Sequence, residues 1–253
     1  CDSAPMPVVE FKNLTKAYAA PGFFSSKKSI GIEGLCLQVE QGEVFGLLGL
    51  NGAGKTTSIR TLLGLIKPTK GSVTVFGREA AYDQHVRSEL GYLPESVAFP
   101  EALTSAEILI FFARLDREKF PDLSRAKKRI NEVLEITGLG PYKSKRIAAF
   151  SKGMRQRLGI AQAILHKPKV LVLDEPASGL DPLGIIEMRE LFVTLNRELA
   201  MTVLFSSHSI GEVEKISDRV AIIAKNRLVK LLKRQDWQGK KTLEEWFLES
   251  IRL

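Results

Sequence analysis

The chain has 253 residues, a formal net charge of +8, 44% hydrophobic and 26% charged residues, an ordinary balance for a globular protein long enough to bury a substantial core. Its two cysteines, Cys1 and Cys36, show no metal-ligand spacing and make no disulfide framework, which fits a reducing setting. No apolar run approaches the roughly 18–20 residues of a membrane span, so work at a membrane would go through a partner.

The positive charge clusters at Arg125–Arg129, Lys143–Arg146 and Lys225–Arg234. A basic balance suits nucleic acid or an anionic membrane surface, but the interspersed Glu and Asp make these solvated faces. The chain opens on Cys1, with Met6 before the first strand-like segment, and residues 1–5 read as a scar, an upstream remnant or a disordered start.

Residues 7–12, beginning at Pro7, read as an edge strand. Asn13 to Tyr18 leads off it into a loop over Ala19–Ser29, where Phe23 and Phe24 either pack locally or touch a partner. Leu35–Glu40 alternates as a half-buried strand. Gln41-Gly42 turns it into the apolar strand from Val44, which runs into Gly49-Leu50-Asn51-Gly52-Ala53-Gly54-Lys55-Thr56-Thr57 and a helix over Ser58–Leu65. Ser72–Phe76 is a further strand, and the early strands predict an antiparallel sheet. From Glu101 to about His166 the pattern is helical. Thr104-Ser105-Ala106-Glu107 is a capping box before the apolar run Ile108–Leu115. Ser124–Thr137 carries Ile130, Val133 and Leu134 at helical spacing and is stopped by Gly138 and Gly140. Ser151 caps a helix to about His166. Lys169–Asp174 is then a buried parallel strand, followed by a helix over Leu183–Leu199, a strand over Thr202–Ser206, a short helix from Ser209, strands Val220–Ala224 and Arg227–Leu231, and a terminal helix behind the box Thr242-Leu243-Glu244-Glu245.

Residues 49–56 fit G-x-x-x-x-G-K-[ST] between a strand and a helix, the phosphate-binding loop. Gly49, Gly52 and Gly54 allow backbone angles that aim N–H groups into one concavity, the helix N-terminus favours an anion, Lys55 reaches the outer phosphates, and the Thr56 hydroxyl suits Mg2+. Asp174 and Glu175 end the next buried strand, where ligands of open α/β sheets bind. Asp174 is placed to hold Mg2+, directly or through water, and Glu175 to act as general base on water. That pairing points to hydrolysis rather than transfer to a second substrate. His208 ends another strand and is placed to meet a γ-phosphate and orient the water.

Taken together these residues resemble the ATP-binding subunits of ABC transporters over residues 6–232. Gly49–Thr57 resembles their Walker A segment, Leu171–Pro176 Walker B with its glutamate, Ser178-Gly179-Leu180-Asp181 the D-loop, His208 the switch histidine and Tyr18 the aromatic that stacks on adenine. Phe150-Ser151-Lys152-Gly153-Met154 resembles the signature motif, with Lys152 and Met154 departing from it. Gly91–Glu95 resembles the segment joining core to helical insert, with Glu95 where Gln is common, and Leu50 replaces a common Pro. The Leu243–Leu248 tail is similar to that of drug- and polymer-exporter subunits.

The resemblance implies an α/β fold: a P-loop NTPase core with a mainly parallel sheet, a flanking antiparallel β-subdomain and an α-helical subdomain inserted at about 96–166, with a helical tail over 233–253. It further implies a dimer sandwiching two ATP and Mg2+. Tyr18, residues 49–57, Glu95, Asp174, Glu175 and His208 would come from one subunit, with Thr56, Asp174 and Glu95 at the metal. Ser151, Gly153 and Asp181 would come from a second nucleotide-binding subunit, identical or not. The partner would be a separate transmembrane permease, with the chain peripheral on the cytoplasmic face of the inner membrane, membrane contact through the permease and no direct nucleic acid. The rival readings are a soluble ABC-type ATPase acting on nucleic acid or the ribosome, and a binding-only subunit of an asymmetric pair.

Overall fold

The computed structural model describes residues 7–19 and 28–252, so the expectations for residues 1–5, Phe23 and Phe24 lie outside the described residues. In chain order the elements are β1 (Val9–Ala19), β2 (Lys28–Val39), β3 (Val44–Leu48), α1 (Lys55–Leu62), β4 (Lys70–Val75), β5 (Arg78–Glu79), α2 (Val86–Glu89), β6 (Leu90–Leu93), α3 (Ser105–Leu115), α4 (Leu123–Ile136), α5 (Lys152–Ile164), β7 (Val170–Leu173), α6 (Pro182–Leu199), β8 (Thr202–Ser207), α7 (Ile210–Ile216), β9 (Arg219–Ala224), β10 (Arg227–Lys233), α8 (Arg234–Trp237) and α9 (Leu243–Arg252).

Among the described residues the strands form two sheets. One has the order β10-β9-β3-β8-β7-β6. Its pairs are parallel except β10 with β9, which an Lys225-Asn226 turn joins as a hairpin. The other is antiparallel, in the order β2-β1-β4-β5. This corrects the expectation for residues 7–12: β1 is a central strand. Val9 pairs with Val39 on one side and Val75 on the other, and the strand runs on to Ala19. Pro7 is harmless there because it precedes the ladder.

The parallel sheet divides the core. Along β7, Leu171 and Leu173 point into one apolar cluster, Val170 and Val172 into another; along β8, Val203 and Phe205 face the first and Leu204 the second. The first cluster is roofed by α3, α4, α5 and α6, the second by α1 and the antiparallel sheet. All four side chains of β7 are fully buried, and each stabilises the fold by about 1.5–3 kcal/mol. A strand buried on both faces leaves its polar residues only one exit, the carboxyl end, which is where Asp174 stands.

The helical stretch opens as expected. Thr104 Oγ accepts from Glu107 N–H while Glu107 accepts from Thr104 N–H, closing the capping box on α3. The expected helix over 124–137 begins one residue earlier, where Asp122 caps it by accepting from Arg125 N–H at 2.7 Å. Ser151 Oγ accepts from Met154 N–H at the start of α5.

Candidate active site

The apolar strand β3 drives residues 49–54 to the carboxyl end of the parallel sheet, and α1 starts at Lys55. Gly52 and Gly54 have φ of 79° and 112°, the left-handed half of conformational space. Gly49 is a glycine for a different reason from the one expected: its φ is not positive, and a Cβ there would collide with the Ile223 carbonyl of β9. Among the described residues no side chain caps α1 at Gly54, so its first-turn amides are open to an anion. Lys55 folds back over the loop, its Nζ donating to the Gly49 carbonyl at 2.7 Å and the Leu50 carbonyl at 3.2 Å. Leu50 itself is exposed.

Beyond β7, Asp174 Oδ1 accepts from Ser206 Oγ at 2.6 Å and from Thr56 Oγ1 at 3.2 Å. Glu175 follows with φ 48°. Its N–H donates to Ser206 Oγ at 2.9 Å, and its carboxylate turns into the groove. Oε2 accepts from His208, through the ring Nδ1 at 2.8 Å and the backbone N–H at 3.3 Å. An ionised carboxylate only accepts, so this contact puts the ring proton on Nδ1, and among the described residues Nε2 has no hydrogen-bond partner. Oε1 stands 3.0 Å from Lys55 Nζ, both side chains being over nine-tenths buried. The pair is electrostatic: the approach is not aligned for a hydrogen bond, and Oε1 accepts none from the described residues. Nearby, burial first and the Asp174 charge second push the Tyr92 hydroxyl above its ordinary range.

A groove of about 360 Å3 gathers Tyr18, Asn51, Gly52, Ala53, Gly54, Lys55, Thr56, Thr57, Glu95 and Glu175. Asp174 joins it through Thr56 and His208 through Glu175. The Tyr18 ring lies against Gly31, its hydroxyl 3.3 Å from Thr57 Oγ1, and a Cβ at Gly31 would strike that ring. Ser151, Gly153 and Asp181 are elsewhere. They line a second groove of about 430 Å3 with Lys152, Gly179 and Leu180, which shares no residue with the first. Another surface concavity, about 620 Å3 beside Lys119, Arg125 and Arg129, is lined by none of these groups.

Two contributors went unforeseen. Ser206 bridges Asp174 and Glu175, and its signal in the sequence was a hydroxyl two places before His208 at the end of an apolar strand. Asn226, in the hairpin turn with φ 61°, donates through Nδ2 to the carbonyls of Gly31 and Gly52 and pins the loop from outside. A two-residue turn between strands marks a hairpin, but its contact with residue 52 is tertiary.

A phosphate loop after β3, a carboxylate pair after β7 and a histidine after β8 define a P-loop nucleotide-binding protein of the α/β class. The family described as ABC transporter matches residues 32–178, and a family described as AAA domain, putative AbiEii toxin, Type IV TA system overlaps residues 143–214. The chain is 42% identical over 223 residues to the bacitracin transport ATP-binding protein BcrA of Bacillus licheniformis, covering 88% of this chain and 68% of that one. It is 43% identical to an uncharacterized ABC transporter ATP-binding protein of Nostoc over 88% of this chain, but spans only 65% of that relative's length. Among solved structures it resembles cbiO1 of Clostridium perfringens, part of the cbiONQ transporter complex, with TM-score 0.80, 25% identity and coverage of 93% and 92%. Its fold also matches the ATP-binding cassette MJ0796, solved as a dimer bound to ADP and Pi, with TM-score 0.78, 22% identity and coverage of 89% and 98%. The chain belongs to the ABC transporter ATP-binding family. Among the described residues no helix is long and apolar enough to cross a membrane.

Proposed function

We propose that the chain hydrolyses ATP as the nucleotide-binding subunit of an ABC transporter, pairing head to tail with a second such subunit to drive a separate membrane-spanning permease. Export suits it better than import, given its likeness to a bacitracin transport protein. The chain then sits peripherally at the cytoplasmic face of the membrane, held by the permease, as the ATP-binding domain over 6–232 with a helical subdomain at about 96–166 and a tail over 233–253.

Tyr18 stacks on adenine. The amides of residues 49–57 and the Lys55 ammonium hold the phosphates. Glu175 takes the proton from the attacking water, and His208, through its free Nε2, meets the γ-phosphate. Ser151, Gly153 and Asp181 meet the nucleotide of the opposite subunit, for which their separate groove on this chain is the right arrangement. The donor set fits Mg2+: a hydroxyl and a carboxylate oxygen side by side, Thr56 and Asp174, with Glu95 lining the same groove as Thr56. Among the described residues no three His, Cys, Asp or Glu cluster for a metal, and Mg2+ characteristically takes one or two carboxylates plus phosphate and water. When bound, it would neutralise phosphate charge.

One observation carries the reading: Glu175 holds Lys55 at 3.0 Å and His208 at 2.8 Å, so phosphate ligand, base and histidine meet at one carboxylate. Glu175→Gln should slow turnover by about 10²–10⁴-fold and leave ATP affinity intact, with an ATP-dependent dimer accumulating on gel filtration. Turnover near that of the unmodified chain would remove Glu175 as the base. Absence of any ATP-dependent dimer would remove the paired arrangement.

A further inference from the structure

Strand β8 ends in Ser206 and Ser207, with His208 next in the chain. Three consecutive side chains each bond a different carboxylate: Ser206 Oγ donates to Asp174 at 2.6 Å, Ser207 Oγ donates to Glu212 Oε2 at 3.1 Å, and the His208 ring donates to Glu175 at 2.8 Å. The first and third carboxylates already have roles; Glu212 has none.

Its geometry closes a ring around the histidine. Ser209 N–H donates to Ser207 Oγ at 3.0 Å, and Ser207 Oγ–H donates onward to Glu212. Ser209 is the N-cap of α7 and makes no side-chain cap of its own. Glu212 therefore satisfies the helix start through a hydroxyl relay in place of the usual direct capping box. The residue enclosed between the relay's two serines is His208. Its backbone N–H and ring can both reach Glu175 Oε2 only while residues 207–209 keep this turn.

The anchor is rigid. Val213 is fully buried, and α7 lies so close on β3 that a Cβ at Gly46 would strike Val213 and Ser217. Burial pushes the Glu212 carboxyl above the usual range, and the Glu175 charge adds to that; the Ser207 hydrogen bond, His208 and Arg189 oppose it. A half-buried carboxylate beside another is an expensive choice for a mere helix cap.

We propose that Glu212 is a positioning residue which, acting through Ser207, holds the His208 ring against Glu175; this rests on the roles proposed above for Glu175 and His208. Among the described residues Glu212 hydrogen-bonds to Ser207 and to no residue of the phosphate loop, so the clamp acts on turnover and leaves ATP binding alone.

The test compares Glu212→Ala, Ser207→Ala, the double variant and Glu212→Gln. Each alanine variant should lower kcat by about ten- to a hundredfold through misplacement of the ring, with KM for ATP within about twofold of the unmodified chain. The double variant should be no worse than either single one, because the two residues form one unit. Glu212→Gln, whose amide oxygen still accepts from Ser207, should keep most of the turnover. Additive losses, a glutamine variant as poor as the alanine, or a raised KM at unchanged kcat would overturn the proposal. Nitrogen-15 NMR of the imidazole rings provides a readout independent of turnover, with only three histidines in the chain. The His208 ring signals should move in Glu212→Ala and Ser207→Ala and return in Glu212→Gln; unmoved signals would also overturn it. An unmodified chain without ATPase activity would count against the proposed function, while the NMR series still decides the clamp. Should Glu212→Ala fail to fold, Ser207→Ala and Glu212→Gln make the same comparison.

Discussion

Glu175 occupies left-handed backbone space at φ 48°, which a residue with a Cβ adopts at a cost of about 1–2 kcal/mol. The surroundings over-determine it: its N–H is held by Ser206, Oε2 by His208, and Oε1 faces Lys55. Strain stored at one residue and supported by three partners is a common signature of a working site, and the bend aims the carboxylate into the groove. Tyr18 is a simpler case. Its ring lies over Gly31, beside the loop that would carry the phosphates. Tyr18→Ala should weaken ATP binding by about 1–3 kcal/mol, the usual range for base–aromatic stacking, while Tyr18→Phe should bind nearly normally. Displacement of a fluorescent nucleotide measures both. Equal affinity in the alanine variant would return Tyr18 to a packing role.

Among the elements, α3 allows a clean test of local chemistry. Replacing Thr104 with Ala removes the acceptor for Glu107 N–H and should cost about 1 kcal/mol of stability. Hydrogen bonds from the Thr104 backbone and then its hydroxyl hold the Glu107 carboxyl below the usual carboxylate range. A depressed folded-state pKa gives stability that is present above the unfolded value and lost as pH falls through the folded one. Thermal melts of Glu107→Ala should therefore lie below those of the unmodified chain at neutral pH and converge with them in acid. A difference that persisted below the folded-state pKa would contradict this. The box was legible in the sequence because its two residues lie three apart and its chemistry is local. The phosphate loop was legible for the same reason. The central place of β1 was not, since edge and centre are decided by strands far away in the chain that pair on either side. Nor was β6, four residues whose strand character comes from lying beside β7. Ser206, Asn226 and Glu212 share this limit: each matters through a partner 32, 174 or 5 residues away, and the short separation belongs to a relay rather than a motif.

On the scale of the whole molecule, one chain presents two grooves with no residue in common, one around the phosphate loop and one around Ser151 and Gly153. A two-fold pairing of such chains makes each complete site from unlike halves of two copies. The defects of two broken chains can then cancel. Lys55→Ala spoils only the first groove and Ser151→Ala only the second, and each variant alone should lack ATPase activity. In a mixed pair, one site inherits both lesions and the other inherits neither. Random mixing of equal amounts should therefore restore about one intact site in four, and ATPase activity should rise with the product of the two concentrations. A mixture as silent as its components would mean that each chain works alone or that the lesions unfold it. Activity regained would make this protein an enzyme whose active site can be inherited from two defective parents.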